Sequence, residues 1–302
     1  MIVTVTLNPA IDKTCHIERL NTGAINRLDK VCRVAGGKGV NVTKILRQFD
    51  YPVKAIGFLA GTGGQFIEQT LLKMGAICNF SYVEGETRTS TNIIEANGNV
   101  TEVLEPGFTV PKEEVERFVE AFLGRIDGAK IVVFSGSLPQ GVPTDIYAKL
   151  IKLAKSKDCK TFLDTSGEAL RYGLEAIPYF IKPNGKELTD YVGTALNGKE
   201  DVADRAIQLC HKGIEKVVVT LGEEGLVAVT QGDIIYHDVY PVEVVNTVGC
   251  GDTVVASYVM SELQGDDGKA AAKKASALAA ANATNAENGH FSMETYEKLL
   301  NS

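Results

Sequence analysis

Two hydrophobic rhythms alternate along the chain. Short apolar runs recur at Ile2 to Leu7, Val53 to Leu59, Lys130 to Ser135, Thr161 to Asp164, Tyr179 to Lys182 and Lys216 to Leu221. Bounded runs of that length suit strands buried on both faces of a mostly parallel sheet. Between them apolar residues return every three or four positions, as at Val40, Val42, Ile45, Leu46 and Phe49. That period predicts helices over 39–49, 64–74, 112–123, 143–155 and 202–212, and two more near the C-terminus over 252–263 and 267–282. The alternation predicts βαβ units with right-handed crossovers, and so an α/β fold.

Two regions break this rhythm. Lys13 to Arg33 is polar with scattered apolar residues, and Thr87 to Leu104 alternates around Asn97-Gly98-Asn99. Asn-Gly between alternating runs is a hairpin signal. Both regions are predicted to form a small β lid, made by segments of about 10–34 and 86–106 inserted in one domain spanning 1–302. No internal repeat or low-complexity linker interrupts the chain.

Composition narrows the function classes. Hydrophobic residues make up 44% of the 302, enough for a sizeable core. The net charge of −7 argues against nucleic acid as a partner, since such binding needs Lys/Arg patches. Six cysteines are scattered without CxxC spacing, which predicts reduced thiols and neither a disulfide framework nor a zinc site. The N-terminal run is short and lacks a basic lead, and no long apolar stretch follows. A cytoplasmic protein with no membrane segment is expected.

Five constellations carry chemistry. Ala35-Gly36-Gly37-Lys38-Gly39-Val40-Asn41 opens a helix. Its glycines allow close approach of a ligand to the backbone, and the helix start behind them favours negative charge. Lys38 and Asn41 are placed to face that ligand. The spacing is not that of a P-loop. Asn246-Thr247-Val248-Gly249-Cys250-Gly251-Asp252 also runs into a helix. Consecutive N–H groups there can form an anion hole, and an Asp at its edge can accept a proton from a hydroxyl. The plainer alternative for Asp252 is an acidic first-turn residue favoured by the helix dipole. Cys250 is read as a small packed side chain in preference to a nucleophile, because no His lies near it in sequence.

In Lys182-Pro183-Asn184-Gly185-Lys186-Glu187 the Asn and Glu stand at i, i+3. They could serve a hydrated Mg²⁺, or simply cap a helix. Thr220-Leu221-Gly222-Glu223-Glu224-Gly225 ends a strand and either packs against a nucleotide or turns into the next strand. Asp12 suits paired sugar hydroxyls, and Arg88 suits a phosphate.

Together and in this order, these elements resemble the PfkB family of sugar kinases over nearly the whole chain. The resemblance implies a ribokinase-like fold, a three-layer α/β/α sandwich with a mostly parallel central sheet and a small β lid. Thr4-Val5-Thr6-Leu7-Asn8-Pro9-Ala10-Ile11-Asp12, Glu86-Thr87-Arg88 and Ser135-Gly136-Ser137-Leu138-Pro139 are most similar to its hexose-phosphate branch, the 1-phosphofructokinases and tagatose-6-phosphate kinases. What the resemblance implies is an ATP-dependent kinase, with Asp252 as the base and the N–H groups of Gly249, Cys250 and Gly251 as the anion hole. Asp12, Gly37, Lys38 and Asn41 would hold the sugar. Arg88 and Arg27 would bind its phosphate, with Ser137 nearby. Lys182, Asn184, Thr220, Gly222, Gly225 and Asn282 would line the ATP site, the last near the adenine. Asn184 and Glu187 would organise Mg²⁺ through water. A monovalent cation such as K⁺ is also implied, and the exposed edge of the predicted lid offers a surface for a homodimer.

The chain departs from the family pattern in three places. Asn246-Thr247 replaces the Asp-Thr of many members, which bears on the branch. Cys250 replaces Ala or Ser. Leu104-Glu105-Pro106-Gly107-Phe108 lacks an Asn expected near that lid strand. Fructose 1-phosphate is the expected acceptor, with tagatose 6-phosphate second and an unphosphorylated sugar or nucleoside more remote. A dinucleotide-dependent oxidoreductase is disfavoured, because Leu7-Asn8-Pro9 stands where GxGxxG would follow the first strand. A non-catalytic sugar-binding protein is disfavoured by intact Asp252, Asn184 and Glu187.

Overall fold

The computed structural model describes all 302 residues. In chain order the first elements are β1 (Ile2–Thr6), β2 (Ala10–Ile17), β3 (Lys30–Gly36), α1 (Lys38–Gln48), β4 (Val53–Ala60), α2 (Gly61–Lys73), β5 (Ile77–Val83), β6 (Thr89–Glu95) and β7 (Val100–Leu104). Next come α3 (Lys112–Arg125), β8 (Ile131–Ser135), α4 (Ile146–Lys155), β9 (Lys160–Asp164), α5 (Gly167–Glu175), β10 (Phe180–Ile181), α6 (Gly185–Val192) and α7 (Gly198–His211). The C-terminal part holds β11 (Lys216–Thr220), β12 (Leu226–Thr230), β13 (Ile234–His237), α8 (Cys250–Gln264), α9 (Gly268–Ala283) and α10 (Met293–Leu300).

Nine strands form one sheet in the order β13-β12-β11-β10-β9-β8-β1-β4-β5. All its pairings are parallel except those of β11 with β12 and β12 with β13. The unbroken apolar runs follow from helices on both faces. Val132 and Phe134 pack into one core with α3, α4, α5 and α7, while Ile131 and Val133 pack into the other with α1, α8, α9 and α10. Neighbouring residues on one strand thus serve opposite layers.

The two irregular regions form a second sheet of four strands, in the order β3-β2-β6-β7. The Asn-Gly signal marks the β6–β7 turn, where Gly98 takes φ +88° and Glu95 N–H donates to the Asn99 carbonyl at 2.9 Å. Exposed apolar residues lie on this small sheet, among them Val31, Val100, Val103 and Leu104.

The structure adds elements that the hydrophobic pattern did not predict. β5 is an edge strand, mostly exposed or half-buried, and so carries no strong apolar run. β12 and β13 add an antiparallel edge beyond β11. β10 is only two residues long, and Pro183 follows shortly after.

Candidate active site

The large sheet carries its functional side chains at the C-terminal ends of parallel strands, where ligands of open α/β sheets bind. Asp164 ends β9, Lys182 follows β10 and Thr220 ends β11. These three residues line a cleft of about 790 Å³ with Lys38 and Asp252.

The two glycine motifs bring helix starts to this cleft. Gly37 caps α1 at φ +97°, and a Cβ there would lie 3.0 Å from the Pro9 backbone. A Cβ on Gly36 would sit 2.0 Å from the Asp12 carboxylate, so the missing side chain makes room for that acid. Gly249 caps α8 in the left-handed region at φ +86°. The N–H groups of Gly249 and Gly251 donate to no protein acceptor, whereas that of Cys250 reaches the Thr247 carbonyl at 3.3 Å. Two free donors therefore meet at a positive helix end. A Cβ on Gly251 would come within 3.2 Å of Lys182 Nζ.

Asp252 stands in the first turn of α8 and is buried. Asn41 Nδ2 donates to its Oδ2 at 2.8 Å, which ties the two motifs together across the cleft. Burial, then the nearby charge of Asp164, pushes the Asp252 carboxyl up to about 7. Lys38, the Asn41 bond and Lys182 only partly oppose that rise.

Asp164 is the residue that sequence reasoning missed. In the sequence it stands only as the end of an apolar run. It is fully buried, 2.9 Å from Lys38 Nζ and 3.4 Å from Lys182 Nζ. Burial opposes its ionisation, but the two lysines outweigh burial and hold its carboxyl below the ordinary value. Lys38 in turn stays charged, because Asp164, Glu187 and Asp252 together overcome its own burial. Oδ2 of Asp164 is buried with no protein partner. The signal that could have found it is its place: an acid at the C-terminal end of a central parallel strand.

Asn184 and Glu187 make the capping box that was the plainer alternative. Glu187 N–H donates to Asn184 Oδ1 at 2.7 Å, and Asn184 N–H donates to Glu187 Oε2 at 2.9 Å. Capping does not use all of Glu187, because its Oε1 lies 3.6 Å from Lys38 Nζ. Part of the same cleft is an apolar slot lined by Tyr240, Pro241 and Val242 and by Ala279, Ala280 and Ala283, with Gly222 and Gly225 also on its wall.

Asp12 lies on β2, buried, with Oδ2 accepting from Asn288 Nδ2 at 2.8 Å. Burial raises its carboxyl, against the Asn288 bond and the charges of Lys44 and Arg88. Arg88 is half-buried; it donates to the Asn8 carbonyl at 3.3 Å and keeps a buried Nε without a partner. Asn8 also reaches Ser137 Oγ at 3.4 Å, so Ser137 and Arg88 share one neighbour. Arg27 is exposed in the connection between β2 and β3, and nothing in the structure ties it to Arg88.

Asn282 corrects the sequence reading. It does not line the apolar slot. It is buried, donating to the Val248 carbonyl at 3.2 Å and to Cys250 Sγ at 3.4 Å, and accepting from Gly289 N–H at 3.1 Å. Its amide braces the turn before α8, and alanines of α9 face the slot in its place. Cys250 is packed as expected: its thiol donates to the Ala279 carbonyl at 3.5 Å, and burial pushes its pKa up.

An apolar slot for a base, lysines and free N–H groups for phosphates, and a buried acid able to take a proton near neutrality suit one class of chemistry. That class is phosphoryl transfer from a nucleotide to a hydroxyl. The family model for pfkB family carbohydrate kinases matches residues 5–295, and the chain belongs to that family. It is an ATP-dependent sugar kinase of the phosphofructokinase type. A provisionally assigned phosphofructokinase from Staphylococcus aureus is 30% identical, with a TM-score of 0.83 and coverage of 100% of this chain and 97% of that one. Escherichia coli phosphofructokinase-2, solved in complex with potassium, is 27% identical, with a TM-score of 0.92 and coverage of 99% and 98%. A provisionally assigned 1-phosphofructokinase from Thermotoga maritima is 29% identical, with a TM-score of 0.89 and coverage of 100% and 97%. The architecture is the ribokinase-like one that the resemblance implied.

Proposed function

We propose that the protein transfers the γ-phosphoryl group of ATP to a ketohexose monophosphate, with fructose 1-phosphate as acceptor and fructose 1,6-bisphosphate as product. The observation that carries this reading is the buried Asp252, held by Asn41 of the first glycine motif and standing beside the free N–H groups of Gly249 and Gly251, with Asp12 close enough to Arg88 to feel its charge.

Asp252 accepts the proton of the acceptor hydroxyl as that oxygen bonds to the γ-phosphorus. The bond from phosphorus to the β-bridging oxygen breaks, and ADP leaves with that electron pair. A carboxyl pushed up to about 7 is basic enough to take the proton and still largely ionised above neutrality. The N–H groups of Gly249 and Gly251 receive the charge that develops on the migrating group. Lys38 and Lys182, both beside Asp164, neutralise the donor phosphates. Asp12, Gly37 and Asn41 orient the sugar, and Arg88 binds the phosphate already on it, with Ser137 behind. Thr220, Gly222 and Gly225 flank the nucleotide.

Magnesium entering with ATP fits this donor set: Asp164 Oδ2 and Glu187 Oε1 would hold it, and it would spread charge over the β- and γ-phosphates. The four-stranded sheet serves as the lid that excludes water. Its exposed Val31, Val100, Val103 and Leu104 support a homodimer through that sheet. Six unpaired thiols and no helix long and apolar enough to cross a membrane fit work in a reducing compartment such as the cytoplasm.

Fructose 6-phosphate is the specific second reading, because E. coli phosphofructokinase-2 has been solved with that sugar. A coupled ADP-release screen against fructose 1-phosphate, fructose 6-phosphate, tagatose 6-phosphate, fructose and ribose decides between them. The highest kcat/KM on fructose 1-phosphate is expected. Preference for an unphosphorylated sugar would overturn the reading.

A further inference from the structure

One buried charge has no part in the mechanism above. Lys44 lies one turn beyond Asn41 on α1 and is only 6% exposed. It forms no ion pair with any carboxylate. Its Nζ donates to two backbone carbonyls instead, that of Ala35 at 3.1 Å and that of Asn288. Burying a lone ammonium is costly, and its pKa is lowered to about 8 by that burial, against the charges of Asp12, Glu287 and Asp252. A Met or Leu would fill the same space without that cost.

What the charge holds is informative. Asn288 is buried, with its carbonyl and both ends of its side-chain amide engaged near the site. Its carbonyl accepts from Lys44, its Nδ2 donates to Asp12 Oδ2 at 2.8 Å, and its Oδ1 accepts from Asn246 Nδ2 at 2.7 Å. Asn246 in turn accepts from Val248 N–H at 3.0 Å, one residue before the Gly249 cap. One turn further along α1, Gln48 Nε2 holds the Gly289 carbonyl at 2.9 Å. The segment 288–289 is thus clamped to α1 and reaches from the acid of the lid to the turn of the anion hole.

We propose that Lys44 and Asn288 form a positioning pair that sets the Asp12 carboxylate for the acceptor sugar. Lys44 fixes the Asn288 backbone and supplies the nearest buried positive charge, while the Asn288 amide fixes the carboxylate's orientation. Neither residue touches the reacting atoms, and both act through Asp12. The inference rests on Asp12 as an acceptor ligand, as stated under Proposed function. It predicts that the pair governs acceptor affinity and leaves the donor side alone.

The test compares Lys44→Met, Lys44→Arg and Asn288→Ala with the wild type, each on whichever acceptor of the screen the wild type turns over best. Lys44→Met and Asn288→Ala are expected to raise the acceptor KM at least tenfold. The KM for ATP should stay within twofold and kcat within threefold. Lys44→Arg, which keeps the charge and its donors, should restore the acceptor KM to within threefold of wild type. An acceptor KM unchanged in both variants overturns the proposal, and so does an ATP KM that rises in parallel, the mark of a merely structural tie. Should Lys44→Met not fold, Asn288→Ala keeps the buried charge and decides alone. The acceptor that the wild type prefers separately judges the proposed function.

Discussion

Replacing Asp252 with Asn should make the protein more stable while it removes catalysis. The carboxyl is buried, its nearest charge of like sign is Asp164, and its pKa is pushed from 3.8 to about 7. Ionising it in the folded state therefore works against a gap of about three pH units. At about 1.4 kcal/mol for each, that is about 4 kcal/mol of stability withheld from the wild type above neutrality. Asn keeps an oxygen for the Asn41 Nδ2 bond and carries no charge, so it recovers most of that amount. The expected gain is on the order of 2–4 kcal/mol, or a melting shift on the order of 5 °C for a chain of this size.

The sign with pH is fixed. Below about pH 4 the carboxyl is protonated in folded and unfolded chains alike, and the variant has no advantage. As the pH rises, the unfolded chain releases its proton first, and the wild type loses stability until folded Asp252 ionises near pH 7. Above that the gap is constant. Melting curves from pH 4 to pH 8.5 in the absence of nucleotide read this directly. The same variant should lose on the order of a thousandfold in kcat, the usual range for a missing general base. A melting difference that does not change with pH, or a variant less stable than wild type at pH 8, would refute the electrostatic account. A near-normal kcat would remove Asp252 from the mechanism.

Asp164→Asn should do the opposite to stability: it leaves buried Lys182 and half-buried Lys38 without their acid, and on the order of 3 kcal/mol should be lost in denaturant titration. Its kcat/KM for ATP should fall at least about a hundredfold. Arg88→Ala should raise the KM for a phosphorylated acceptor at least about tenfold and leave that for free fructose unchanged, because only the former carries a group for the guanidinium. Cys250 should be alkylated more slowly at pH 7.5 than a thiol in a free peptide, as followed by mass spectrometry, since burial raises its pKa and only the thiolate reacts.

The parts of the site legible in the sequence were those made by local chain geometry. Gly36-Gly37-Lys38 and Gly249-Cys250-Gly251-Asp252 announce themselves because a sharp turn into a helix needs glycine at fixed offsets. Residues whose meaning is set by distant partners were silent. Asp164 acquires its role from Lys38, 126 positions earlier, and from Lys182 after the next strand. Lys44 reads as one more polar position on an amphipathic helix until the fold places Asn288 against it, 244 positions away. The same limit explains Asn282, whose side-chain amide bridges two distant segments, donating to the Val248 carbonyl and Cys250 thiol at the start of α8 and accepting from Gly289 N–H beyond α9. In the sheet, central strands were legible because both faces are buried. The edge strands β5 and β13 were not, because exposure on one side dilutes their apolar pattern.

The two acids of the cleft show how one environment yields two kinds of carboxylate. Burial raises the cost of ionising Asp164 and Asp252 alike. What separates them is where the lysines stand. Both ammonium groups lie within ion-pair reach of Asp164, so that acid stays charged, and its charge then becomes a reason for Asp252 to keep a proton. Pushing two neighbouring carboxyls apart in this way assigns one to electrostatic work and frees the other for proton transfer near neutral pH. Lys38 therefore does more than the phosphate binding proposed for it. Reaching Asp164 directly and acting on Asp252 at longer range, it helps to set the difference between the two acids, and so does Lys182, approached by the bare Gly251 of the second glycine motif.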